Sequence, residues 1–471
     1  MTTPISENLA IAIMAAGKGT RMKSERTPKV LHTLAGRSIV MHVLHTAFSL
    51  EPESVHLIVG HESQQVRDHV ASHAAPGMLE RLSWVEQLEQ LGTGHAIQQV
   101  LPPLQDFRGH LAVLNGDVPL LAAGTLSELW QRHLDGRHAA TLLTTSLPDP
   151  TGYGRIIKNA FGRFLAIREH KDCSPEELAI KEFNTGIYLF DWEHLSRLLP
   201  RLSNNNAKGE YYLTDILGML IDAGLPVGIH AMEDPREVLG INSRKELAEV
   251  EGILRTRIRE QWMLDGVTLR QPDTIAIDIE VELTADVEIL PNSQLEGRTR
   301  VGAGSRIGPN TLLRDAIVGE NSSVLMSMVE SAEIGNQVQI GPFSHLRPES
   351  RVEAGAKVGN FVELKKATLG PGSKASHLSY LGDVEIGANC NIGAGTITCN
   401  YDGVHKHRTR LGNGVFTGSH STLVAPLELG DLAYTAAGSV ITADVPAGAL
   451  GLGRAHQVNK EGWVAKKRPQ K

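Results

Sequence analysis

The stretch that decides the fold covers residues 334–365 and reads IGNQVQIGPFSHLRPESRVEAGAKVGNFVELK. An aliphatic residue returns every six positions, and the residue after it is small or polar. A period of six is neither the alternation of a half-buried strand nor the 3.6-residue period of an amphipathic helix. It predicts a parallel β-helix in which each six-residue unit is one short strand plus a turn, three units to a triangular coil. The inward anchors are Ile334, Ile340, Leu346, Val352, Val358 and Leu364.

The same period extends on both sides of this stretch but is interrupted twice. The steps from 364 to 386 and from 398 to 411 are not multiples of six, so we expect extra residues to leave the β-helix there as loops. Insertions on one face of a repeat scaffold often build its binding face, and tolerated decoration is an equal alternative. The two interruptions contain residues 376–380 and 400–406. The further anchors are Val301, Ile307, Leu313, Ile386, Ile392, Thr398, Leu411, Thr417, Leu423, Leu429, Thr435 and Ile441.

Composition narrows the function. A chain of 471 residues predicts two or three domains, and 53 acidic against 46 basic side chains argue against a general nucleic-acid binder. The three cysteines, Cys173, Cys390 and Cys399, form no CxxC pair, which argues against a disulfide framework or a thiolate zinc site. No apolar run reaches the length of a membrane span, and the first residues lack the pattern of a secretion signal. We therefore expect a cytoplasmic protein without a membrane or nucleic-acid partner.

An apolar run at residues 9–14 predicts a buried strand, and a glycine-rich segment, AAGKGTRM at residues 15–22, follows it. Glycines let backbone N–H groups approach an anion closely, so a strand that enters such a loop is typical of a phosphate cradle. The segment is not a P-loop, and Met22 replaces the third glycine of the dinucleotide fingerprint. Arg21 and Lys29 are cations that could reach a triphosphate. A β-to-α turn with solvated charges is the alternative.

This segment, together with Met14 and a later Pro-Lys pair, resembles the signature of the sugar-nucleotide pyrophosphorylases. These enzymes transfer a nucleotidyl group from an NTP to a sugar 1-phosphate. The resemblance implies that Arg21 and Lys29 are catalytic and that the end of the strand contacts the nucleotide. The contacting residues it implies are Met14, Ala15, Ala16, Gly17 and Lys29.

A second segment, Gln87 followed by LGTGHA at residues 91–96, resembles the uridine-binding stretch of the uridyltransferases. The resemblance implies base contacts from Gln87, Gly92 and Thr93. The amide of Gln87 can pair with a uracil edge, and glycine lets the backbone approach the base. A helix N-terminus capped by Thr93 is an alternative that is compatible with this role.

An apolar strand over residues 111–114 leads into Asn115, Gly116 and Asp117, which the resemblance adds to the UTP site. A carboxylate at the carboxyl end of a strand in an α/β sheet points into the ligand crevice, although a lone Asp there is equally often a turn residue. The resembled family places a Mg²⁺ ligand at Asp117 and a second at Asn242, which we expect at the end of another apolar strand. Mg²⁺ takes one or two protein oxygens and completes its shell with phosphates and water.

Three segments between these ligands match the family's sugar pocket: GYGRI at 152–156, EHKD at 169–172 and FNTG at 183–186. The positions carried over are Gly154, Glu169 and Asn184. The stretch 208–215 matches as well, although the start of a helix is equally expected there.

A single helix is predicted from Ser243 to Asp265. Ser243 and Glu246 form a capping box, apolar residues lie on one face, and Gly266 suits the C-terminal cap. The helix separates a uridyltransferase domain (1–242) from a β-helix domain (267–471), with residues 243–266 as the linker. The basic end of the chain, residues 459–471, is expected to be a solvated tail, with contact to cofactor phosphates as the alternative.

A nucleotidyltransferase joined by a helix to hexapeptide repeats resembles the bifunctional N-acetylglucosamine-1-phosphate uridyltransferase and glucosamine-1-phosphate N-acetyltransferase family over nearly the whole chain. The resemblance implies an α/β fold: a Rossmann-like nucleotidyltransferase domain, the linker helix and a left-handed parallel β-helix. It implies Mg²⁺, UTP and acetyl-CoA, together with glucosamine 1-phosphate and N-acetylglucosamine 1-phosphate as substrates, and a homotrimer with parallel β-helix axes.

The acetyltransferase reaction of this family is the acylation of an amine. It needs a general base whose pKa is close to neutral pH, and histidine suits that role. The resemblance makes His377, in the first interruption, this base. Glu363 is a hypothetical partner that orients it. The sugar-phosphate residues it implies are Arg347, Lys365, Tyr380 and Asn391. The acetyl-CoA residues it implies are Ala394, Asn400, Tyr401, Ser419, Ala437 and Arg454.

Two other interpretations remain open on the sequence. In one, the β-helix is purely regulatory, as in enzymes similar to ADP-glucose pyrophosphorylase. In the other, both folds survive in an assembly or translation-factor-like subunit without catalysis, although the catalytic positions are all present. Thiol release from acetyl-CoA in the presence of glucosamine 1-phosphate separates the three.

Overall fold

The apolar run at residues 9–14 forms an interior strand of a nine-stranded sheet in the computed structural model, which describes residues 8–17, 19–24, 26–60, 63–206 and 208–468. The first unit has the strands β1 (Leu9–Met14), β2 (Thr33–Leu34), β3 (Arg37–Ser38), β4 (Ser54–Val59), β5 (Leu82–Glu86), β6 (His110–Asn115), β7 (Ala140–Ser146), β8 (Arg155–Lys158), β9 (Phe164–Arg168), β10 (Glu182–Asp191) and β11 (Val227–Ala231). Its helices are α1 (Ile39–Phe48), α2 (Ser63–His73), α3 (Pro76–Leu79), α4 (Thr93–Gln98), α5 (Ala123–Asp135), α6 (Pro175–Leu178), α7 (Trp192–Leu198) and α8 (Asp215–Asp222), with 3₁₀ turns at Thr20–Met22, Lys29–Leu31, His170–Asp172, Leu199–Arg201 and Pro235–Val238. Helix α9 (Arg244–Leu264) begins in this unit.

The main sheet has the order β11-β7-β10-β6-β1-β4-β5, and β8 and β9 form a hairpin beside β10. Strand β1 pairs in parallel with β4 and β6 and alternates its side chains between two apolar layers. Ala10 and Ala12 face one layer, and Ile11 and Ile13 face the other. Because β1 and β6 are parallel neighbours, Met14 and Asn115 end side by side. Their carboxyl ends open into one crevice, the usual ligand position of such sheets.

The hexad stretch forms the predicted β-helix, with strands stacked into three parallel sheets, here called the first, second and third faces. Residues 18 positions apart pair, as Ile334 does with Val352 and Leu346 with Leu364. First-face strands are Thr268–Leu269, Glu288–Ile289, Arg306–Ile307, Ser323–Val324, Gln339–Ile340, Lys357–Asn360, Lys374–His377, Asn391–Ile392, Phe416–Thr417, Tyr434–Thr435 and Leu450–Gly451. Second-face strands are Ala276–Ile277, Gln294–Glu296, Leu312–Arg314, Met328–Glu330, His345–Leu346, Glu363–Lys365, Tyr380–Gly382, Ile397–Cys399, Thr422–Val424 and Val440–Ile441. Third-face strands are Glu282–Leu283, Arg300–Val301, Ile317–Val318, Glu333–Ile334, Arg351–Val352, Thr368–Leu369, Val384–Ile386, Thr409–Leu411 and Leu427–Leu429. A 3₁₀ turn at Pro272–Thr274 and helix α10 (Trp463–Lys467) complete this unit.

All 18 predicted anchors are buried, so the six-residue period is confirmed as the rule that fills the core. The first interruption, however, is not a loop, and that expectation was wrong. Leu369, Ala375 and Leu381 are inward anchors between 364 and 386, so the steps are five, six, six and five residues. Two turns are one residue shorter, and no residues leave the β-helix. The second interruption is an insertion as expected, because Thr398 and Leu411 are consecutive anchors on adjacent faces.

Helix α9 has the predicted caps at both ends. Ser243 Oγ accepts from the Glu246 N–H at 3.3 Å, and Glu246 Oε2 accepts from the Ser243 N–H at 2.8 Å. At the other end Gly266 has φ 91°, and the N–H of Val267 reaches the carbonyl of Trp262 at 2.9 Å, which is a Schellman cap. The two compact units of the chain, Met1–Leu254 and Arg255–Lys471, divide inside this helix.

Among the described residues, none of the helices combines the length and the apolar character that crossing a membrane would demand. The end of the basic tail, residues 469–471, lies outside the described residues.

Buried histidines form a polar chain inside the first unit. His133 is fully buried, accepts or donates at 2.9 Å to His110, and lies 2.8 Å from the hydroxyl of Thr141. Burial lowers the pKa of His133 to about 3, and burial also lowers the pKa of His42 and of His56 to about 4. The unfolded chain therefore binds more protons than the folded chain below the ordinary histidine pKa of 6.5.

The stability contributed by these neutral histidines is present above about pH 6.5 and is lost as the pH falls toward their folded pKa values. We expect His133→Gln to be less stable than the parent at pH 7.5 but to lose less stability on acidification, by about 1.4 kcal/mol per pH unit below 6.5. Urea unfolding followed by tryptophan fluorescence measures this, and Trp130, whose ring lies 6.3 Å from that of His133, contributes to the signal. Equal pH slopes for the two proteins would contradict it.

Candidate active sites

The loop after β1 places the predicted nucleotide residues beside the end of β6. The Ala15 N–H donates to the carbonyl of Ile58 at 2.9 Å, and the Gly116 N–H donates to the carbonyl of Met14 at 2.9 Å. These bonds hold residues 14–17 at the mouth of the crevice. Lys18 in the same motif lies outside the described residues. Arg21, on the 3₁₀ turn that follows, is exposed.

Three of the predicted site residues meet at one point. Lys29 Nζ lies 2.6 Å from Asp117 Oδ2 and 3.3 Å from Asn242 Oδ1. The Ile241 N–H donates to the carbonyl of Asp117 at 3.0 Å, which holds the two oxygen-bearing segments together. Glu246 also anchors Asn242, because its Oε2 accepts from the Asn242 N–H at 2.7 Å. The arrangement is a carboxylate and an amide oxygen around one cation, the oxygen donors that Mg²⁺ prefers.

The expected local structure of Asn242 was wrong. A 3₁₀ turn, Pro235–Val238, precedes it instead of a strand, and the residue leads into α9. The apolar residues that suggested a strand, Val238 and Ile241, are both buried, and Val238 packs into the first unit's core.

The predicted uridine stretch lines a cavity of about 490 Å³ next to the glycine loop. Gln87 is buried and its Nε2 donates to the carbonyl of Gly92 at 3.1 Å, so it also shapes the loop. The alternative of Thr93 as N-cap was wrong. Gly92 is the N-cap of α4, and the hydroxyl of Thr93 accepts instead from the Leu213 N–H at 3.2 Å.

The sugar-pocket residues reach the same cavity from the opposite side. Glu169 and Asn184 line it, and the Asn184 N–H donates to the carbonyl of Gly154 at 2.9 Å. Asn184 Nδ2 donates to the hydroxyl of Tyr188 at 2.7 Å, and burial raises the pKa of Tyr188, so its phenol stays neutral. Asn115 Nδ2 donates to the carbonyl of Thr185 at 3.2 Å.

Sequence reasoning did not single out Gln90 or Tyr188, both of which line the cavity. Tyr188 follows the FNTG segment at strand spacing, which is a signal that could have found it. The stretch 208–215 serves both of its expected roles. Lys208 and Tyr212 line the cavity, and Asp215 begins α8.

In the β-helix, one group of predicted residues stacks along the edge between the first and second faces, here called the first edge. Its backbone is joined by hydrogen bonds: the Gly395 N–H to the carbonyl of His377 at 3.3 Å, and the His420 N–H to the carbonyl of Ala394 at 2.7 Å. His377 ends the strand Lys374–His377, so it belongs to the coil and is exposed. The predicted residues of this group are His377, Ala394, Ser419 and Ala437, with the exposed Arg454 after the last first-face strand.

A groove of about 580 Å³ runs along this edge and contains His377, Asn391, Ala394, Ser419 and Ala437. The aromatic rings of Phe416 and Tyr434, stacked at 5.1 Å, form its apolar wall and were not singled out from the sequence. Each ring comes directly before an inward anchor, at a position of the hexad that faces outward. A large aromatic residue at such a position is the sequence signal that could have identified them.

A second group lies along the edge between the second and third faces, here called the second edge. Arg347 Nη1 bonds Glu363 Oε1 at 2.9 Å. Asn400 Nδ2 donates to Asp383, whose N–H donates to the carbonyl of Lys365 at 2.9 Å. Tyr380 lies on the second face, between Glu363 and Ile397. The Glu363 carboxylate therefore has Arg347 as its partner within the chain, and no hydrogen bond joins it to His377 among the described residues.

The inserted loop 400–408 adds a lysine to the second edge. Tyr401 and Lys406 form a bridge that turns the loop back, and the Lys365 ammonium beside it lowers the pKa of Lys406. The Asp383 carboxylate offsets this only in part, and two neighbouring ammonium groups favour a phosphate ligand. Lys406 was not singled out from the sequence.

The fold and these two sites define a nucleotidyltransferase joined to a hexapeptide-repeat acyltransferase. A family profile described as the MobA-like NTP transferase domain matches residues 11–172. Curated relatives named "Bifunctional protein GlmU" match nearly end to end. The protein from Synechococcus sp. (strain CC9605) is 49% identical over 98% of this chain and 100% of its own length. The proteins from Nostoc sp. (strain PCC 7120) and Prochlorococcus marinus (strain MIT 9313) are 49% and 47% identical over 97% of this chain and 99% and 100% of theirs.

The chain belongs to the family of bifunctional GlmU proteins. It is an enzyme of UDP-N-acetylglucosamine synthesis with a pyrophosphorylase and an acetyltransferase activity. The regulatory and non-catalytic interpretations of the β-helix are therefore set aside.

A substitution at Gly92 tests whether the loop formed by Gln87 and residues 91–96 binds uridine as predicted. Its φ is 109°, and an added Cβ would lie 2.6 Å from the carbonyl oxygen of Tyr211. Such strain costs roughly 1–3 kcal/mol, so we expect Gly92→Ala to raise the KM for UTP on the order of tenfold or more and to leave acetyl transfer unchanged. Gly77→Ala is the matched control, because nothing lies within 4 Å of its added Cβ. A KM for UTP equal to that of the control would contradict the assignment.

Proposed function

We propose that the first unit transfers the uridyl group of UTP to N-acetylglucosamine 1-phosphate and that the second unit transfers acetyl from acetyl-CoA to glucosamine 1-phosphate, in the cytoplasm. The main support for uridyl transfer by the first unit is that Lys29 contacts both Asp117 and Asn242 in the crevice beside the proposed base and sugar cavity. Cations and oxygen donors placed at phosphates account for most of the catalysis in such transfers.

In the uridyl reaction, an oxygen of the sugar 1-phosphate forms a bond to the α-phosphorus of UTP, and the bond from that phosphorus to pyrophosphate breaks. Mg²⁺ on Asp117 and Asn242 would screen the phosphate charges when bound. Lys29 is held beside both oxygens, and Arg21 is exposed at the loop, so both can offset the charge that develops on the departing pyrophosphate. Gln87 and Gly92 hold the base, while Glu169 and Asn184 hold the sugar.

In the acetyl reaction, His377 takes a proton from the sugar ammonium. The free amine then attacks the thioester carbonyl, a C–N bond forms, and the C–S bond breaks. The proton on His377 passes to the departing thiolate. The exposed position of His377 at the mouth of the groove suits a base that must meet a substrate from outside. Ala394, Ser419 and Ala437 are small enough to let a pantetheine arm lie along the first edge.

The two activities should be separable by point substitution. Asp117→Asn keeps the shape of the side chain and removes its charge, so uridyl transfer should fall by roughly a hundredfold or more while acetyl transfer stays unchanged. His377→Gln should lower acetyl transfer by about a hundredfold and leave uridyl transfer unchanged. Pyrophosphate release and thiol release measure the two reactions. The exposed Asp135→Asn is a control for both. Loss of both activities in either folded variant would contradict the two-site proposal.

We propose further that the acetyl site is shared between neighbouring chains of a homotrimer. Within one chain, His377 and the groove lie on the first edge, whereas Arg347 and Lys365 lie on the second. A neighbouring β-helix with a parallel axis would bring the second edge of one chain to the first edge of the next. An exposed apolar ridge beside His377 supports contact there. It consists of Phe343, Phe361 and Leu378, which are 54%, 58% and 60% exposed.

Phe361→Ser should weaken the trimer and lower acetyl transfer in parallel with its dissociation, because each half of the site would lose its partner. Uridyl transfer should be unchanged. Light scattering over a dilution series, with both activities measured on the same samples, tests this. Phe161→Ser, at a phenylalanine that is 89% exposed in the first unit, is the control. A monomer with full acetyltransferase activity would exclude a shared site.

A further inference from the structure

Arg155 is a fully buried cation in the GYGRI segment, and the proposed mechanism gives it no role. It is only 1% exposed. No carboxylate forms an ion pair with it among the described residues. The exposed Asp149 carboxylate is near enough for Arg155 to help lower its pKa, but a buried charge that no carboxylate contacts is costly, so the hydrogen bonds of Arg155 must be well made to compensate.

The guanidinium makes those bonds to two segments of the sugar pocket. Nη1 donates to the carbonyls of Pro150 and Tyr153, both at 2.6 Å. Nη2 lies 3.5 Å from Nδ1 of His170, which must be the acceptor because a guanidinium only donates. Nε of Arg155 is buried and has no hydrogen-bond partner.

Two of these three contacts, Tyr153 and His170, lie next to a residue that is assigned to the sugar. Tyr153 precedes Gly154, whose carbonyl accepts from the Asn184 N–H at 2.9 Å. His170 follows Glu169, whose carboxylate lines the cavity. The two segments also meet directly, because a Cβ on Gly154 would lie 3.5 Å from Glu169 Oε1. One guanidinium therefore joins both sides of the sugar pocket, whereas the uridine loop at Gln87–Gly92 has no bond to it.

We propose that Arg155 is a positioning residue for the sugar 1-phosphate, a role that rests on the proposed uridyl transfer. Its planar fork sets the separation of the Gly154 and Glu169 segments and hence the fit of the sugar ring. The geometry of the fork matters more than the charge, because the partners are two carbonyls and a neutral ring nitrogen. Lysine, a single point donor, cannot reproduce it.

Steady-state kinetics in both substrates tests this. Arg155→Lys and Arg155→Met should each raise the KM for N-acetylglucosamine 1-phosphate by about tenfold or more, with the KM for UTP within about twofold of the parent and acetyl transfer unchanged. Arg163→Met, on the exposed part of the same hairpin, is the matched control. A purely structural role would instead move both KM values or the folded fraction alone.

Removing a buried arginine can prevent folding, so His170→Ala provides a second test at a partly exposed residue. It removes one end of the clamp and should raise the KM for the sugar phosphate severalfold without changing that for UTP. Unchanged sugar KM values in folded Arg155→Lys and His170→Ala would overturn the role of Arg155. A parent enzyme that forms no UDP-sugar from UTP and this substrate would instead overturn the proposed uridyl transfer.

Discussion

Parallel strand pairing is the constraint on which both active sites depend. Parallel neighbours run in the same direction, so equivalent positions of successive strands fall side by side. In the first unit this brings the ends of β1 and β6 together and places Met14 beside Asn115. In the β-helix it places His377, Ala394, Ser419 and Ala437 in one column, although they are far apart in the chain. A site made this way needs only a suitable residue at the same register position of each strand.

Each unit places lysine side chains where a phosphate group could bind. Lys29 lies between two oxygen donors in the crevice, and Lys365 lies beside Lys406 on the second edge. The first arrangement combines a cation with metal-type oxygens and suits a transfer at phosphorus. The second places two ammonium groups side by side and suits a substrate that is held by its phosphate while its amine reacts elsewhere. His377 lies on a different edge from these cations, and this separation is the observation behind the proposed second chain.

Much of the fold was predictable because burial imposes regular patterns on a sequence. Every residue that the hexad period predicted to point inward is buried. The caps of α9 are the ones that Ser243, Glu246 and Gly266 predict. The errors arose where one local pattern has two structural causes. An interruption of a period looks the same whether residues are inserted or turns are shortened, so the sequence misplaced His377 in a loop. The apolar residues before Asn242 are buried without forming a strand. Thr93 has the residue type of a cap, but its hydroxyl oxygen accepts from the distant backbone N–H of Leu213.

By itself the sequence determined the two architectures, their order, the helix between them and the residue types of both chemistries, because periodicity, caps and glycine loops are local properties. Only the tertiary structure decided which of these residues meet. Asp117 and Asn242 lie 88 and 213 positions after Lys29 in the chain, and nothing in this spacing reveals that the three side chains contact one another. The same holds for Arg155, whose burial and bonds to Tyr153 and His170 exist only once the hairpin is folded. Long-range contacts depend on how whole strands pack, and that packing is a property of the complete chain.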